Sequence, residues 1–152
     1  LRRFIMSARI NLGTYDAETL LHKPTTAAIT ASAEGKVGTT AKVIDFGDAA
    51  SRIDAKAIID VAAAGTGTGQ KQVINIQVSD DNFAADIYNV GVLELGDAGQ
   101  LVGDTDVGVG RYEIPFNNLI NGTPKRYCRV YATIAITSPV TSLEYTAYLV
   151  PA

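Results

Sequence analysis

Two acidic stretches carry the side chains best suited to chemistry. The first, SDDNF, contains Asp80, Asp81 and Asn82. The second, GDTDVG, contains Asp104 and Asp106 at the i, i+2 spacing that opens a calcium loop. Neither stretch is followed by the bidentate glutamate of an EF-hand. Because Asp and Asn also stabilise turns with their own side chains, the sequence favours turns over metal sites.

A pair of carboxylates also supplies the acid and base of a glycosidase, and Asp81 and Asp104 are the candidates under this hypothesis. Sugar sites usually add aromatic rings, and the chain has seven Tyr and four Phe but no Trp. Four tyrosines lie on two predicted strands near the C-terminus: Tyr127, Tyr131, Tyr145 and Tyr148. A carbohydrate-binding β-sandwich therefore stays an alternative, although tyrosines on strands more often belong to cores and interfaces.

The nucleophiles of the chain lack the partners that catalysis requires. His22, the single histidine, lies beside Pro24 in a segment without periodicity, and no G-x-S-x-G nucleophile elbow accompanies it. Cys128 lies in an alternating apolar run, which predicts a buried structural thiol. GTGTGQK lacks the Gly-Lys-Ser/Thr of a phosphate-binding loop and predicts a hairpin. We therefore predict no enzyme activity, no cofactor and no metal.

Composition limits the possible partners. The chain has 152 residues, 47% of them hydrophobic, and a net charge of −3. This length favours one domain, and the weak acidity argues against nucleic acid, whose binding requires a basic patch. No apolar run is long enough to predict a membrane-spanning helix. The N-terminal LRRFIMSARI is basic, and its apolar core is too short for a secretory signal.

Short two-faced runs must position all of these residues. From about residue 42, seven runs with strand character are separated by turn signals: KVIDFGDAA, DAKAIIDVAAAG, QVINIQVS, NVGVLELG, RYEIPF, RYCRVYATIAI and SLEYTAYLV. Such spacing is typical of all-β sandwiches and jelly rolls, so we predict a jelly-roll β-sandwich over residues 41–152. Residues 1–40 lack this pattern. They are predicted to form an extended, partly irregular N-terminal arm, with a short helical turn in TYDAETLLHK.

Alternation assigns two faces to the clearest strands. In QVINIQVS, the isoleucines and Val78 are predicted to face the core, whereas the side from Val73 to Ser79 faces water. In RYCRVYATIAI, the apolar face runs from Cys128 to Ile136. Its other face is formed by Tyr127, Arg129, Tyr131 and Thr133. Pro115 inside RYEIPF predicts an edge strand or a bend, because proline cannot donate a ladder hydrogen bond.

Several of these runs together resemble a family of viral structural proteins. KVIDFGDAA, INIQVSDDNF with the following VLELGDA, GRYEIPFNN, KRYCRVYATI and LEYTAYLVP are similar to segments of tailed-phage capsid cement proteins of the Bordetella-phage type. The resemblance covers residues 40 to 150. It implies a non-catalytic jelly-roll decoration protein on the outer capsid surface of the virion, bridging major capsid protein subunits. It also implies self-association, with a dimer favoured and a trimer left open.

Two groups of residues are predicted to make the capsid contacts. The arm contributes Arg2, Arg3 and Arg9, because arginine suits ion pairs with acidic groups at interfaces. An arm that orders on binding can reach a neighbouring subunit. The longest predicted strand contributes Tyr127, Arg129 and Tyr131, because tyrosine buries a large ring and keeps one polar end. Neither nucleic acid nor a membrane is a predicted partner.

Overall fold

Thirteen β-strands make up the regular structure of the part of the chain that is described. The structure, a computed structural model, describes residues 19–24, 28–48, 51–101, 103, 105–135 and 143–152, and no helix occurs in these ranges. In chain order the strands are β1 (Leu20–Pro24), β2 (Ala33–Glu34), β3 (Lys36–Gly38), β4 (Thr40–Ala41), β5 (Ile44–Asp45), β6 (Asp54–Ala63), β7 (Lys71–Ser79), β8 (Tyr88–Gly96), β9 (Gly110–Asn117), β10 (Leu119–Ile120), β11 (Thr123–Pro124), β12 (Tyr127–Ile134) and β13 (Glu144–Pro151). The prediction of an all-β fold is confirmed.

The strands form two main sheets that share one core. The larger sheet has the order β4-β3-β1-β13-β6-β9, in which only the β1–β3 pair is parallel. The smaller sheet has the order β2-β12-β7-β8, and β5 also pairs with β12. Strands β10 and β11 form a separate ribbon around Asn121 and Gly122, both of which have positive φ, as a tight hairpin turn requires. The two-sheet arrangement agrees with a β-sandwich.

The hydrophobic core is built from alternate residues of both sheets. Its largest contributors are β6 and β13 in the larger sheet and β7 and β12 in the smaller one. On β12 the predicted apolar face is confirmed within the described residues, since Cys128, Val130 and Ala132 are fully buried. Burial raises the pKa of the Cys128 thiol to about 12, so this cysteine stays protonated at neutral pH and is a packing residue.

All seven predicted runs contain strands, namely β5 to β9, β12 and β13. Strand β9 lies at the end of the larger sheet, so the prediction that Pro115 marks an edge is confirmed. The prediction of a hairpin at GTGTGQK is wrong. Strand β6 already pairs with β13 and β9, whereas β7 pairs with β12 and β8, and the loop between them crosses from one sheet to the other.

Part of the predicted N-terminal arm belongs to the sheets, whereas residues 28–32 are irregular apart from one bridge at Ile29. Strand β1 lies between β3 and β13 in the larger sheet, and its residues Leu20, Leu21 and His22 are buried. The LLHK part of the expected helical turn is therefore a strand, because its backbone pairs with β13 and Leu21 enters the core. Gly35 lets the chain pass close by, since a Cβ there would overlap the Leu21 carbonyl oxygen. The boundary predicted near residue 40 falls inside these sheets, while residues 1–18 lie outside the described part.

Three of the four residues on the predicted wet side of β7 are also buried, and the fourth, Val73, is half-buried. Asn75, Gln77 and Ser79 point away from the core, yet neighbouring side chains and the loop after β7 cover them. Their polar atoms keep hydrogen bonds: the Gln77 amide donates to Asn89 at 3.0 Å, and Ser79 accepts the Phe83 N–H at 2.9 Å. Alternation therefore predicted the correct side for each residue, but it could not predict that this side is covered.

We predict that Leu21→Ala lowers the free energy of unfolding by about 3 kcal/mol, because it leaves a cavity in the core. Urea denaturation measures this change. The control is Val109→Ala, which removes methyl groups from a side chain that is 71% exposed and is expected to stay within about 0.5 kcal/mol of the original protein. A separable arm would make Leu21→Ala as neutral as the control, which would contradict the described position of β1.

Candidate functional site

The outer face of the smaller sheet gathers the predicted contact residues of β12. Tyr127, Arg129 and Tyr131 alternate with the buried Cys128 and Val130, so all three project from the side opposite the core. We call this side, with the β7 and β8 residues beside it, the outer face. The predicted arm residues Arg2, Arg3 and Arg9 lie outside the described residues.

Cross-strand pairing arranges the outer face in rows. One row runs over Glu34, Tyr131, Asn75 and Val92, which are directly paired from β2 to β8. A second row joins Arg129 to Gln77 and Asn89. Side chains in such rows contact each other across the strands. Because Val92 is 50% exposed and the tyrosines are half-buried, the surface combines apolar and polar groups on a rigid sheet.

Arg129 lies at the centre of this face and is held on several sides. Its side chain is only 12% exposed. The Nε–H donates to Gln77 Oε1 at 2.9 Å, and Nη1 donates to Glu34 Oε2 at 3.3 Å. The guanidinium carbon lies 4.2 Å from the centre of the Phe83 ring and 5.2 Å from that of Tyr131. Burial lowers the pKa of Arg129, although Glu34 opposes the shift, and arginine retains its charge in proteins.

The acidic stretch after β7 forms a loop that brings Phe83 onto Arg129. Asn82 and Phe83 both have left-handed backbones, with φ of 55° and 66°, which a bulky side chain rarely adopts. Hydrogen bonds hold this conformation: the Ser79 hydroxyl accepts the N–H groups of Phe83 and Asp81. The Asp81 carboxylate accepts the N–H groups of Ala84, Ala85 and Asp86. These bonds, that of Asp86 first, hold the pKa of Asp81 below its ordinary value.

Lys125 neutralises the other carboxylates of this loop. Its Nζ lies 3.0 Å from Asp80 Oδ2 and 3.1 Å from Asp86 Oδ2. The Asp80 hydrogen bond, with that of Asp86, raises the pKa of Lys125. Asp80 and Asp81, the candidate calcium ligands of this stretch, thus have cationic or backbone partners from their own chain. In the ranges that the structure describes, no group of three or more His, Cys, Asp or Glu side chains could hold a metal ion.

The second acidic stretch is described only in part. Asp104 lies outside the described residues, so the structure does not test the alternative hypothesis that it forms a carboxylate pair with Asp81. Asp106 accepts the N–H of Ala98 at 2.9 Å and therefore stabilises the loop between β8 and β9. This is the turn-stabilising role that aspartate side chains commonly have.

His22, the candidate catalytic histidine, lies in β1 and is 1% exposed. Its Nδ1 accepts the Lys36 N–H at 3.0 Å, and its ring stacks on Tyr145 with centroids 4.1 Å apart. Burial, followed by the charge of Lys36, lowers the pKa of His22 to about 4. The ring is therefore neutral at pH 7, with its proton on Nε2, because Nδ1 is an acceptor. Neither Nε2 nor the Tyr145 hydroxyl has a hydrogen-bond partner in the described structure.

Two of the four tyrosines considered for sugar binding are not available for it. Tyr145 and Tyr148 are buried, and Arg111 Nη2 donates to the Tyr148 hydroxyl at 2.6 Å. Tyr127 and Tyr131 remain on the outer face. Sequence alternation assigned these two residues to one face but missed Phe83, whose position depends on a left-handed backbone that DDNF alone does not specify.

Comparison with known proteins assigns the chain to no family. No protein-family model matches it. No curated protein sequence matches it significantly either. The resemblance to phage cement proteins therefore stays a prediction. Among the described residues, no helix has the length and apolar character needed to cross a membrane.

We predict that His22 makes the protein less stable as the pH falls. Because its folded pKa of about 4 lies below the ordinary 6.5, the unfolded chain binds a proton first on acidification. The free energy of unfolding then falls by up to about 3 kcal/mol between pH 6.5 and pH 4.

Urea denaturation of the original protein and of His22→Gln across this pH range measures the effect. Glutamine keeps an acceptor for the Lys36 N–H but does not titrate. Since the carboxylates contribute equally to both proteins, the difference between the two pH profiles isolates His22. Parallel profiles would show that the imidazole does not titrate differently in the folded state.

Proposed function

We propose that this chain is a structural capsid cement protein, with the jelly-roll connectivity of that family. In this proposal it binds the outer surface of an icosahedral phage shell, bridges subunits of the major capsid protein, and catalyses no reaction. The observation that supports it best is the outer face, where Tyr127, Arg129 and Tyr131 lie together on one strand. Aromatic residues and arginine are enriched in protein interfaces and dominate their binding energy.

The rigidity of the outer face also supports this role. Association loses less free energy when the contacting side chains are already ordered. Arg129 is fixed by two side-chain hydrogen bonds and two aromatic rings, and Arg126 lies 4.9 Å from the centre of the Tyr127 ring. Tyr127, Arg129 and Tyr131 lie on a strand that is paired with β7 over its whole length. Such a surface can contact a partner with little rearrangement.

Because many copies would bind one shell, each single contact could be weak and the protein would still be held on it. A shell presents many equivalent sites, and linked contacts strengthen one another through a raised effective concentration. We include self-association in the proposal, with a dimer favoured over a trimer. The arginines of the N-terminal segment, Arg2, Arg3 and Arg9, are proposed as further contacts to acidic groups of a neighbouring capsid subunit. No nucleic acid partner is proposed, in line with the net charge of −3.

We predict that the purified protein co-sediments with undecorated shells assembled from the major capsid protein that is encoded nearest to it. The double variant Tyr127→Ala/Tyr131→Ala is expected to bind these shells at least about tenfold more weakly, because truncated interface tyrosines commonly cost more than 1 kcal/mol. Binding is measured from the fraction of protein in the pellet as its concentration is varied.

The matched control is Lys56→Ala/Glu113→Ala, which removes an exposed ion pair from the larger sheet. It is expected to bind like the original protein. If the control loses affinity and the tyrosine variant does not, the contact surface lies on the other sheet. Absence of any binding by the original protein would refute the proposed function.

A further inference from the structure

The cationic side chains of Lys125, Arg126 and Arg129 differ in the number of carboxylates that contact them. Lys125 has carboxylate oxygens at 3.0 and 3.1 Å, from Asp80 and Asp86. Arg126 makes two hydrogen bonds of 2.8 Å to Asp45 and contacts Asp48 as well. Lys125 and Arg126 therefore have two carboxylate partners each.

Arg129 has only one carboxylate partner in the described structure. Its side chain is 12% exposed, like that of Lys125, yet Glu34 contacts it at the longer distance of 3.3 Å. Its other hydrogen bond goes to the neutral Gln77 amide. A guanidinium has five N–H donors, and these two contacts use two of them. The Arg129 side chain has thus already lost most of its contact with water in the free protein. Its remaining N–H donors have no hydrogen-bond partner in the described structure.

The aromatic neighbours fix the plane in which the remaining donors lie. Phe83 and Tyr131 both contact the guanidinium, and Gln77 sets its rotation through Nε. Planar recognition of a carboxylate by arginine depends on such an orientation. The half-buried Tyr131 and Tyr127 flank the site and would exclude water from a contact made there.

We propose that the remaining N–H donors of Arg129 bind a carboxylate supplied by the partner protein, from an aspartate, a glutamate or a chain end. This inference rests on the proposed function, because the partner is the capsid subunit on which the outer face docks. It adds the chemical identity of the group that Arg129 receives and makes Arg129 the central contact of the interface.

A singly charged carboxylate fits this site better than a phosphate. Phosphate sites usually combine several cations, whereas Lys125 and Arg126 are already neutralised by their own aspartates. Glu34 also lies beside Arg129 and would repel a doubly charged group more strongly. The site therefore offers unused guanidinium N–H donors in one plane, which suits one planar, singly charged anion.

The first experiment uses the full-length, ¹⁵N-labelled protein without any shell. The probe is N-acetylglutamic acid amide, and the matched control ligand is the neutral N-acetylglutamine amide at the same ionic strength. We expect the Nε–H resonance of Arg129 to shift saturably with the first compound and not with the second. The resonance of Arg126 should stay unchanged in both titrations. Equal shifts of both arginines, or no shift of Arg129, would overturn the inference.

The second experiment compares Arg129→Gln and Arg129→Lys in shell binding. Arg129→Gln is expected to weaken binding at least tenfold and to reduce its dependence on salt, whereas Arg129→Lys keeps the charge without the planar donors and should fall between. Thermal denaturation of both variants identifies any loss of folding, in which case the titration of the original protein decides. Original protein that binds shells without a selective Arg129 shift refutes this inference alone. A selective shift without shell binding supports the site and refutes the cement function.

Discussion

The contact between the Arg129 guanidinium and the Phe83 ring is the interaction on which the outer face depends. A cation that is only 12% exposed requires compensation for its lost hydration, and here it comes from two rings, an amide and one carboxylate. Beside this contact, Gln77 of β7 accepts a hydrogen bond from Arg129 and Ser79 accepts the Phe83 N–H, so these two polar residues of β7 are packed rather than exposed to water. The charged Arg129 side chain therefore lies at the centre of a group of packed side chains outside the hydrophobic core.

The acidic loop after β7 makes this contact possible. Two consecutive left-handed residues cost free energy, and they persist because Ser79 and Asp81 bind the backbone of the loop. Lys125 then ties Asp80 and Asp86 to the start of β12, a few residues from Arg129. Aspartates that resemble metal ligands in the sequence therefore position an aromatic ring. Their carboxylates bind the backbone and Lys125 of their own chain, and the Phe83 ring that they position lies beside them on the outer face.

In the larger sheet, strand β1 buries both an apolar and a titratable side chain. Strand β1 adds Leu21 to the core, but it also buries His22, whose ring is kept neutral by its surroundings. A neutral imidazole stacked on Tyr145 packs like an aromatic residue, and its one satisfied nitrogen bonds the backbone of β3. Each sheet thus covers one titratable side chain. In the larger sheet His22 is neutral, and in the smaller sheet the charged Arg129 is paired with Glu34.

The sequence by itself determined the all-β class, the seven main strands, the apolar face of β12 and the grouping of Tyr127, Arg129 and Tyr131. These features follow from a two-residue period, which any strand imposes on its side chains. Only the tertiary structure decided that β1 joins the larger sheet, that GTGTGQK connects two sheets, and that Phe83 covers Arg129. Each of these depends on contacts between residues far apart in the chain, or on a backbone conformation that its own residues disfavour, and local patterns contain neither.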